Sequence, residues 1–383
     1  MRVQIAFASM AAAIAALARA GDCPQGADYL ATLGGLRGAC GVAWSGGELV
    51  ACVPESIRAE SAGIEAQLIA AARDADGVWG EPKAMTAAVA IGQRLRMAAD
   101  IAVAANGDIA VADAAGVVFV RRASGDGAWA ALGEGVLERP VGVSWVGGRI
   151  AVSDARLRAV VVLSADGREA ARLGTGALLE PAGLAPLRDG SLVVADRLAD
   201  CLWRFDAAAD GSFAVAPVRL GESGSNPGQF SAPRDVCVID RDGADCLLVA
   251  DELNHRVQVV RSDGAFVGFF GMHALLPRQG EGRIHYPVSL AVASDGVTLA
   301  VAEAFEDRVQ VLRLKPEADP VDPSAFGGEF ISSHFGSEIG CGADTLAVVD
   351  REIEALAICD ARTTPPIHMC VVGGGGALPM RFG

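Results

Sequence analysis

Aromatic side chains are scarce in this chain. Phe, Trp and Tyr make up 5% of its 383 residues, and only two of them are Tyr. No obvious platform exists for stacking sugars or bases. Cations are also short, with 32 Lys and Arg against 47 Asp and Glu, a formal net charge of −15. Holding a phosphate backbone needs clustered cations that displace counterions, so a nucleic-acid partner is not expected. Beyond the N-terminus no apolar run reaches the roughly 18 residues of a membrane helix, so no membrane span is expected. Nine cysteines are present but no C-x-x-C, which excludes zinc ribbons, RING modules and thioredoxin chemistry. The run Gly373-Gly374-Gly375-Gly376 lacks the lysine and helix start of a phosphate loop. Glycine is abundant, at 47 residues, beside 17 Pro and 51% hydrophobic residues. Without a Gly-x-y period, that composition describes a turn-rich globular fold.

Met1-Arg2 precedes an apolar stretch from Ile5 to Leu17 and then Ala18-Arg19-Ala20. A short positive start, a short apolar core and small residues two apart fit a secretory signal cleaved after Ala20. Residues 21–383 would then form the mature chain, a single domain.

Internal repeats decide the fold class. Ile109-Ala110-Val111-Ala112-Asp113 recurs as Ile150-Ala151-Val152-Ser153-Asp154, Leu192-Val193-Val194-Ala195-Asp196 and Leu247-Leu248-Val249-Ala250-Asp251. Leu299-Ala300-Val301-Ala302-Glu303 and Leu346-Ala347-Val348-Val349-Asp350 follow, and a degenerate first copy ends at Val53. The copies lie 41 to 60 residues apart (copies ending at 53, 113, 154, 196, 251, 303 and 350). That is the length of a propeller blade. Each unit opens with an alternating strand, often at a proline: Pro140, Pro181, Pro233 and Pro287. Proline suits a first strand residue because it has no N–H to give. Gly-bearing turns such as Gly147-Gly148 and Asp295-Gly296 close hairpins at positive φ. A third strand, such as Arg256 to Val260, and a fourth, such as Ala265 to Gly271, complete four antiparallel strands. The fold expected is an all-β propeller of four-stranded antiparallel blades. Seven anchors favour seven blades, with six as the alternative. Asp28 to Gly35 reads as a strand that closes the ring against the last blade, a place Ile367 to Val372 could also take.

The stretch from Phe230-Ser231-Ala232-Pro233 through Ala250-Asp251-Glu252-Leu253-Asn254-His255-Arg256-Val257-Gln258-Val259 to Phe270-Gly271 resembles an NHL repeat. The blade from Tyr286-Pro287 to Leu312 is similar, and the resemblance extends over most of residues 36–372. It implies a propeller that presents loops on a rigid frame, usually with six blades. The peptide-amidating lyases resemble this architecture and hold zinc with histidines, two of the ligands standing directly after strand-opening prolines. Val141, Ala182, Arg234 and Val288 stand at the matching positions here, so that activity is not expected. The calcium cluster of gluconolactonase-like propellers finds no match. RNA-binding NHL propellers use a basic face, which a chain of net charge −15 does not suggest.

The acidic residues at the ends of the second strands are read as acceptors for backbone N–H groups of the following turn, not as metal ligands. Candidate functional residues come from aligning units around the ring. Two residues before the strand-opening position stand Arg37, Arg96, Glu138, Leu179, Ser231, His285 and His334. Two residues after it stand Gly41, Asp100, Gly142, Gly183, Asp235, Ser289 and Glu338. Arg37, Arg96, Asp100, Asp235, His285, Ser289, His334 and Glu338 are therefore the ligand-binding candidates at the channel mouth. Imidazoles at His285 and His334 beside carboxylates at Asp235 and Glu338 could hold a divalent metal or act as an acid–base pair. No Ser/His/Asp set is placed by sequence order.

Cys40 would face Cys52 across a hairpin centred on Gly46, and Cys359 would face Cys370 across a turn from Thr363 to Pro366. Disulfides at these two pairs, or buried thiols, are the two readings. The leading functional expectation is a monomeric, secreted or lumenal propeller that binds protein or a small extracellular ligand. The rivals are a metal-dependent hydrolase or lyase at the channel mouth and a cytosolic protein-interaction module.

Overall fold

A computed structural model describes residues 23–58, 65–74, 78–85, 95–125, 127–214, 216–241, 243–271 and 282–315, with the backbone of 345–350, 355–360 and 367–373. The signal segment, His334 and Glu338 lie outside the described residues. After strand β1 (Gly26–Gly34), the first blade is β2 (Gly41–Ser45), β3 (Glu48–Arg58), β4 (Glu65–Ala71) and β5 (Lys83–Ala84). The second is β6 (Ala98–Val103), β7 (Ile109–Asp113), β8 (Val117–Arg121) and β9 (Trp129–Leu132). The third is β10 (Pro140–Val146), β11 (Arg149–Asp154), β12 (Ala159–Leu163) and β13 (Glu169–Leu173). The fourth is β14 (Pro181–Pro186), β15 (Leu192–Asp196), β16 (Cys201–Phe205) and β17 (Val218–Leu220). A small ribbon, β18 (Glu222–Ser223) with β19 (Gln229–Phe230), leads to the fifth: β20 (Pro233–Arg241), β21 (Ala244–Asp251), β22 (Arg256–Arg261) and β23 (Phe266–Phe270). The sixth has β24 (Pro287–Val292), β25 (Thr298–Glu303) and β26 (Arg308–Lys315).

The fourth strand of that sixth blade is β1, which pairs antiparallel with β26 from Gly26 opposite Lys315 to Gly34 opposite Arg308. The inner strands β2, β6, β10, β14, β20 and β24 pack against one another in sequence, and β24 packs back on β2. The ring therefore closes with six blades, not seven. The Asp28 stretch does close the ring, but on the sixth repeat. With β24 packed on β2, the ring leaves no gap for a seventh blade. The seventh copy instead forms a three-stranded sheet of β27 (Thr345–Asp350), β28 (Ala355–Asp360) and β29 (Ile367–Gly373).

The apolar alternation visible in the sequence fills the gaps between blades. Six buried clusters form, each shared by two neighbouring sheets. Leu178, Leu192 and Phe205 of the fourth blade, for example, meet Val160 and Val162 of the third, all at most 1% exposed. Each sheet contributes to two clusters, so no blade has a core of its own.

Each described anchor carboxylate is fully buried. Asp154 accepts backbone N–H bonds from Arg156 and Leu157 in the following turn, both at 3.0 Å. It also accepts from Glu138 at 2.7 Å and Arg139 at 2.9 Å, in the loop leading into its own blade. Asp113 does the same for Arg96, Met97 and Ala115. These residues staple two loops together on one face of the ring, here called the anchor face. Asp154→Asn leaves one acceptor oxygen and turns an amide donor toward other donors. It is expected to cost about 2 kcal/mol, read as a lowered urea midpoint.

The hairpin register matches neither of the cysteine pairs suggested from the sequence. The Gly46-Gly47 turn puts Ser45 opposite Glu48 and Gly41, not Cys40, opposite Cys52. Cys40 and Cys52 are both free thiols. In the last sheet Cys359 lies opposite His368 and Cys370 opposite Ile358, so that pair is out of register too. Among the described residues a disulfide joins Cys23 to Cys246, 223 residues apart. It ties the segment before β1 to the second strand of the neighbouring fifth blade. Gly268 in β23 makes room for that segment, since a Cβ there would lie 2.9 Å from the Cα of Gln25.

Candidate functional site

Each inner strand begins at the anchor face, and five of the six carry a register shift directly after their first residue. A bulge re-aims the next side chain, and here it aims it at the neighbouring blade. Asp100 Oδ2 accepts the N–H of Val143 in the third blade at 2.9 Å. Asp235 Oδ2 accepts from Leu290 in the sixth blade at 2.8 Å, while its Oδ1 accepts from Val236. Ser289 Oγ accepts from Val42 in the first blade at 3.1 Å. The positions between are glycines for a steric reason. A Cβ on Gly41 would sit 2.7 Å from the Cα of Asp100, and one on Gly183 would collide with the Asp235 carboxylate. Gly41, Asp100, Gly142, Gly183, Asp235 and Ser289 thus form a ring of inter-blade contacts around the axis. This is the set aligned from the sequence, less Glu338.

Asp100 and Asp235 stand on the second and fifth blades, three apart in a ring of six, so they oppose each other across the axis. Burial pushes the Asp235 carboxyl up to about 6, against the hydrogen bonds from Leu290, Ser289 and Val236 and the charge of Arg234. Burial raises Asp100 as well, and the Asp235 charge raises it further. Two carboxylates in reach of each other resist carrying two charges, so the pair titrates as a unit. Arg234 is half-buried beside Pro233, and its field acts on both. Sequence reasoning tested Arg234 only as a zinc-ligand position and missed this role, although it lies one residue from Asp235.

Cys40 shares this channel wall. Its thiol lies 3.3 Å from the carbonyl oxygen of Ala98, and burial, then the Asp100 charge, push it up to about 12. It is therefore protonated at neutral pH and a poor nucleophile.

His285 belongs to a different group. It is 7% exposed, its Nδ1 bonds the Glu306 carboxylate, and its backbone N–H donates to Glu303 at 2.6 Å. Its ring stacks on His255 at 5.0 Å and meets Tyr286 and Phe305 at 4.4 and 5.5 Å. The structure thus brings Asp100, Asp235 and Ser289 together at the axis and sets His285 with aromatic neighbours at the fifth–sixth blade junction. Among the described residues, no group of three or more His, Cys, Asp or Glu side chains is arranged to hold a metal ion.

His255 has a second use. Asp200, His255 and Asp307 hold equivalent left-handed positions (φ 50, 53 and 54) ending the turns after β15, β21 and β25. Such φ values favour Asn, Asp and His among residues with a side chain. Each accepts a backbone N–H from the next blade: Ala232 at 2.7 Å, Tyr286 at 3.3 Å and Gly38 at 3.2 Å. These three latches fasten blades four to five, five to six and six to one.

Arg37 and Arg96 are exposed on the anchor face, and no side-chain ion pair holds either among the described residues. A separate groove of about 510 Å³ runs along the outer edge between the third and fourth blades, lined by Arg149, Arg172 and Phe213 among others. None of the candidate residues lines it.

No protein-family model matches the chain, and no curated protein matches it. Solved structures do. An auxiliary nutrient binding protein from Bacteroides ovatus shares 14% identity at a TM-score of 0.52, over 70% of this chain and 66% of that one. Another from Bacteroides thetaiotaomicron shares 12% at 0.54, over 73% and 69%. A structural-genomics protein of unknown function from the same organism shares 12% at 0.52, over 77% and 74%. The chain thus spans about two thirds of the length of the two nutrient-binding proteins. At these identities the likeness concerns the fold, and the fold is a β-propeller of six four-stranded blades.

Proposed function

We propose that this chain is an NHL-like propeller that works as a binding scaffold outside the cytoplasm, with its ligand on the anchor face. One observation carries the reading. Among the described residues, large apolar side chains are conspicuously exposed at seven positions, and five of them (Met97, Leu179, Leu198, Leu253 and Phe305) stand on anchor-face loops. Exposed apolar side chains gathered on one face mark an interaction site, whereas scattered ones do not. The Cys23–Cys246 bridge supports an oxidising compartment, secreted, periplasmic or lumenal. The two nutrient-binding structural neighbours support binding as the role.

Two measurements test this. N-terminal sequencing of the chain from its native cells is expected to start at Gly21. A chain beginning at Met1 with a reduced Cys23 would remove the extracellular half of the reading. Hydrogen exchange in native extracellular fluid is expected to show new protection in the anchor-face loops. Protection confined to the opposite hairpins would remove the other half.

A second reading, a metal-dependent hydrolase or lyase at the channel, has the opposed Asp100 and Asp235 in its favour. It requires about one metal ion per purified chain, retained in the wild type and lost in Asp235→Ala.

A further inference from the structure

The anchor face is divided in two. On blades four to six the same turn position carries Leu198, Leu253 and Phe305, which are 63%, 49% and 65% exposed. Phe305 rests against His285 and Tyr286, so this knob has a rigid aromatic footing. On this face of blades one to three Met97 is the one comparable apolar residue among the described residues, and the exposed anchor-face residues include five arginines: Arg37, Arg96, Arg139, Arg156 and Arg158. Glu134 and Glu138 oppose them there, and Glu138 is taken up by Arg156 at 2.7 Å. A basic half in a chain of net charge −15 is an exception that packing does not require. None of these arginines is needed to neutralise a buried acid.

Resting on the binding-scaffold reading above, we propose that the anchor face docks an extended acidic polypeptide segment. Its carboxylates lie over blades one to three, and its apolar side chains engage Leu198, Leu253 and Phe305. Exposed arginines pair with carboxylates in a planar, bidentate fashion. Apolar knobs at a repeated position suit side chains spaced along one strand of peptide. An anionic bilayer fits less well. The whole chain would be repelled from it, and the apolar knobs are not surrounded by the basic residues.

The test uses fluorescence anisotropy with labelled 14-residue peptides. One begins with six Asp and Glu residues and continues with Leu and Phe at alternate positions, and a second has the reverse order. At least one is expected to bind the full chain with a dissociation constant in the micromolar range. Leu253→Ser/Phe305→Ser is expected to weaken binding about tenfold with the salt dependence kept. Arg96→Glu/Arg139→Glu is expected to weaken it about tenfold and flatten the salt dependence. Arg168→Glu, on the opposite hairpins, is expected to change nothing. All substituted residues are exposed (Leu253 and Phe305 in short turns, Arg96, Arg139 and Arg168 just before strands), and unchanged thermal midpoints confirm that the ring stays folded. Failure of both peptides at millimolar concentration overturns the proposal. So does tighter binding to phosphatidylglycerol vesicles through the same residues. If the peptides fail while native extracellular fluid still protects the anchor face from exchange, the binding-scaffold reading stands and only the partner class is wrong.

Discussion

Cys23→Ala/Cys246→Ala is expected to lower the stability of the ring by about 4–5 kcal/mol at 25 °C, because the bridge closes a loop of 223 residues whose freedom the unfolded chain then regains. Both cysteines are fully buried in the cluster shared by the fifth and sixth blades, so the alanines also leave a small void. The double variant avoids an unpaired buried thiol. Guanidinium unfolding of the oxidised parent and the variant measures the effect, and a midpoint that does not move would contradict it. The loss should also be local before it is global. β1 closes the ring by pairing with β26 alone, at the outer edge of the sixth blade. Without the bridge its amides should exchange faster than those of β11 or β15, which are paired on both sides and buried from Ile150 to Asp154 and from Leu192 to Asp196.

Closure also explains why some features were legible in the sequence and others were not. Alternation of period two, prolines at strand starts and glycine turns are written in each repeat, so the four-stranded blade could be read residue by residue. The number of blades could not, because it depends on which strand β1 pairs with. Gly26 finds Lys315 at the far end of the ring, and nothing local announces that partner. The disulfide is hidden for the same reason, since connectivity among nine cysteines is not a local property. The pair Cys40 with Cys52 failed on a single residue of register, which in a strand moves a side chain to the other face, and a bulge between Ile358 and Cys359 shifts the backbone register assumed for Cys359 and Cys370. Aligning positions around the repeats reads geometry, not ligand binding. It selected Asp100, Asp235 and Ser289, and the bulges place these three on the axis. His285, taken from the position two residues before the proline, instead packs with His255, Tyr286 and Phe305, because spacing from a proline says nothing about which way a side chain turns. The Asp200, His255 and Asp307 latches had a sequence signal in their common distance from the anchors, masked by their different chemistry.

Asp235 offers the sharpest test of the axial pair. Most carboxylates stabilise a fold when ionised, and acid removes that stabilisation. Asp235 should do the reverse. Its carboxyl is held up at about 6 by burial, above the ordinary 3.8, so between those values the folded chain keeps a proton that the unfolded chain has lost. Stability from this group is therefore complete below the unfolded value and disappears as pH rises through about 6. Over that range the linkage amounts to about 3 kcal/mol, shared with Asp100 because the two titrate together. Asp235→Asn cannot titrate. It also loses one acceptor for Val236 or Leu290, a cost that does not depend on pH. The informative quantity is then the stability of the variant minus that of the parent, followed by urea unfolding from about pH 4 to about pH 8. Lowered carboxyls elsewhere, such as Asp108 beside Arg122, contribute equally to both proteins and cancel. The difference is expected to move by about 2–3 kcal/mol in the variant's favour toward the alkaline end. A flat difference would mean that Asp235 is ionised throughout, with Arg234 outweighing both burial and Asp100. The axis of the ring would then hold two full negative charges, which is the arrangement a cation ligand would require.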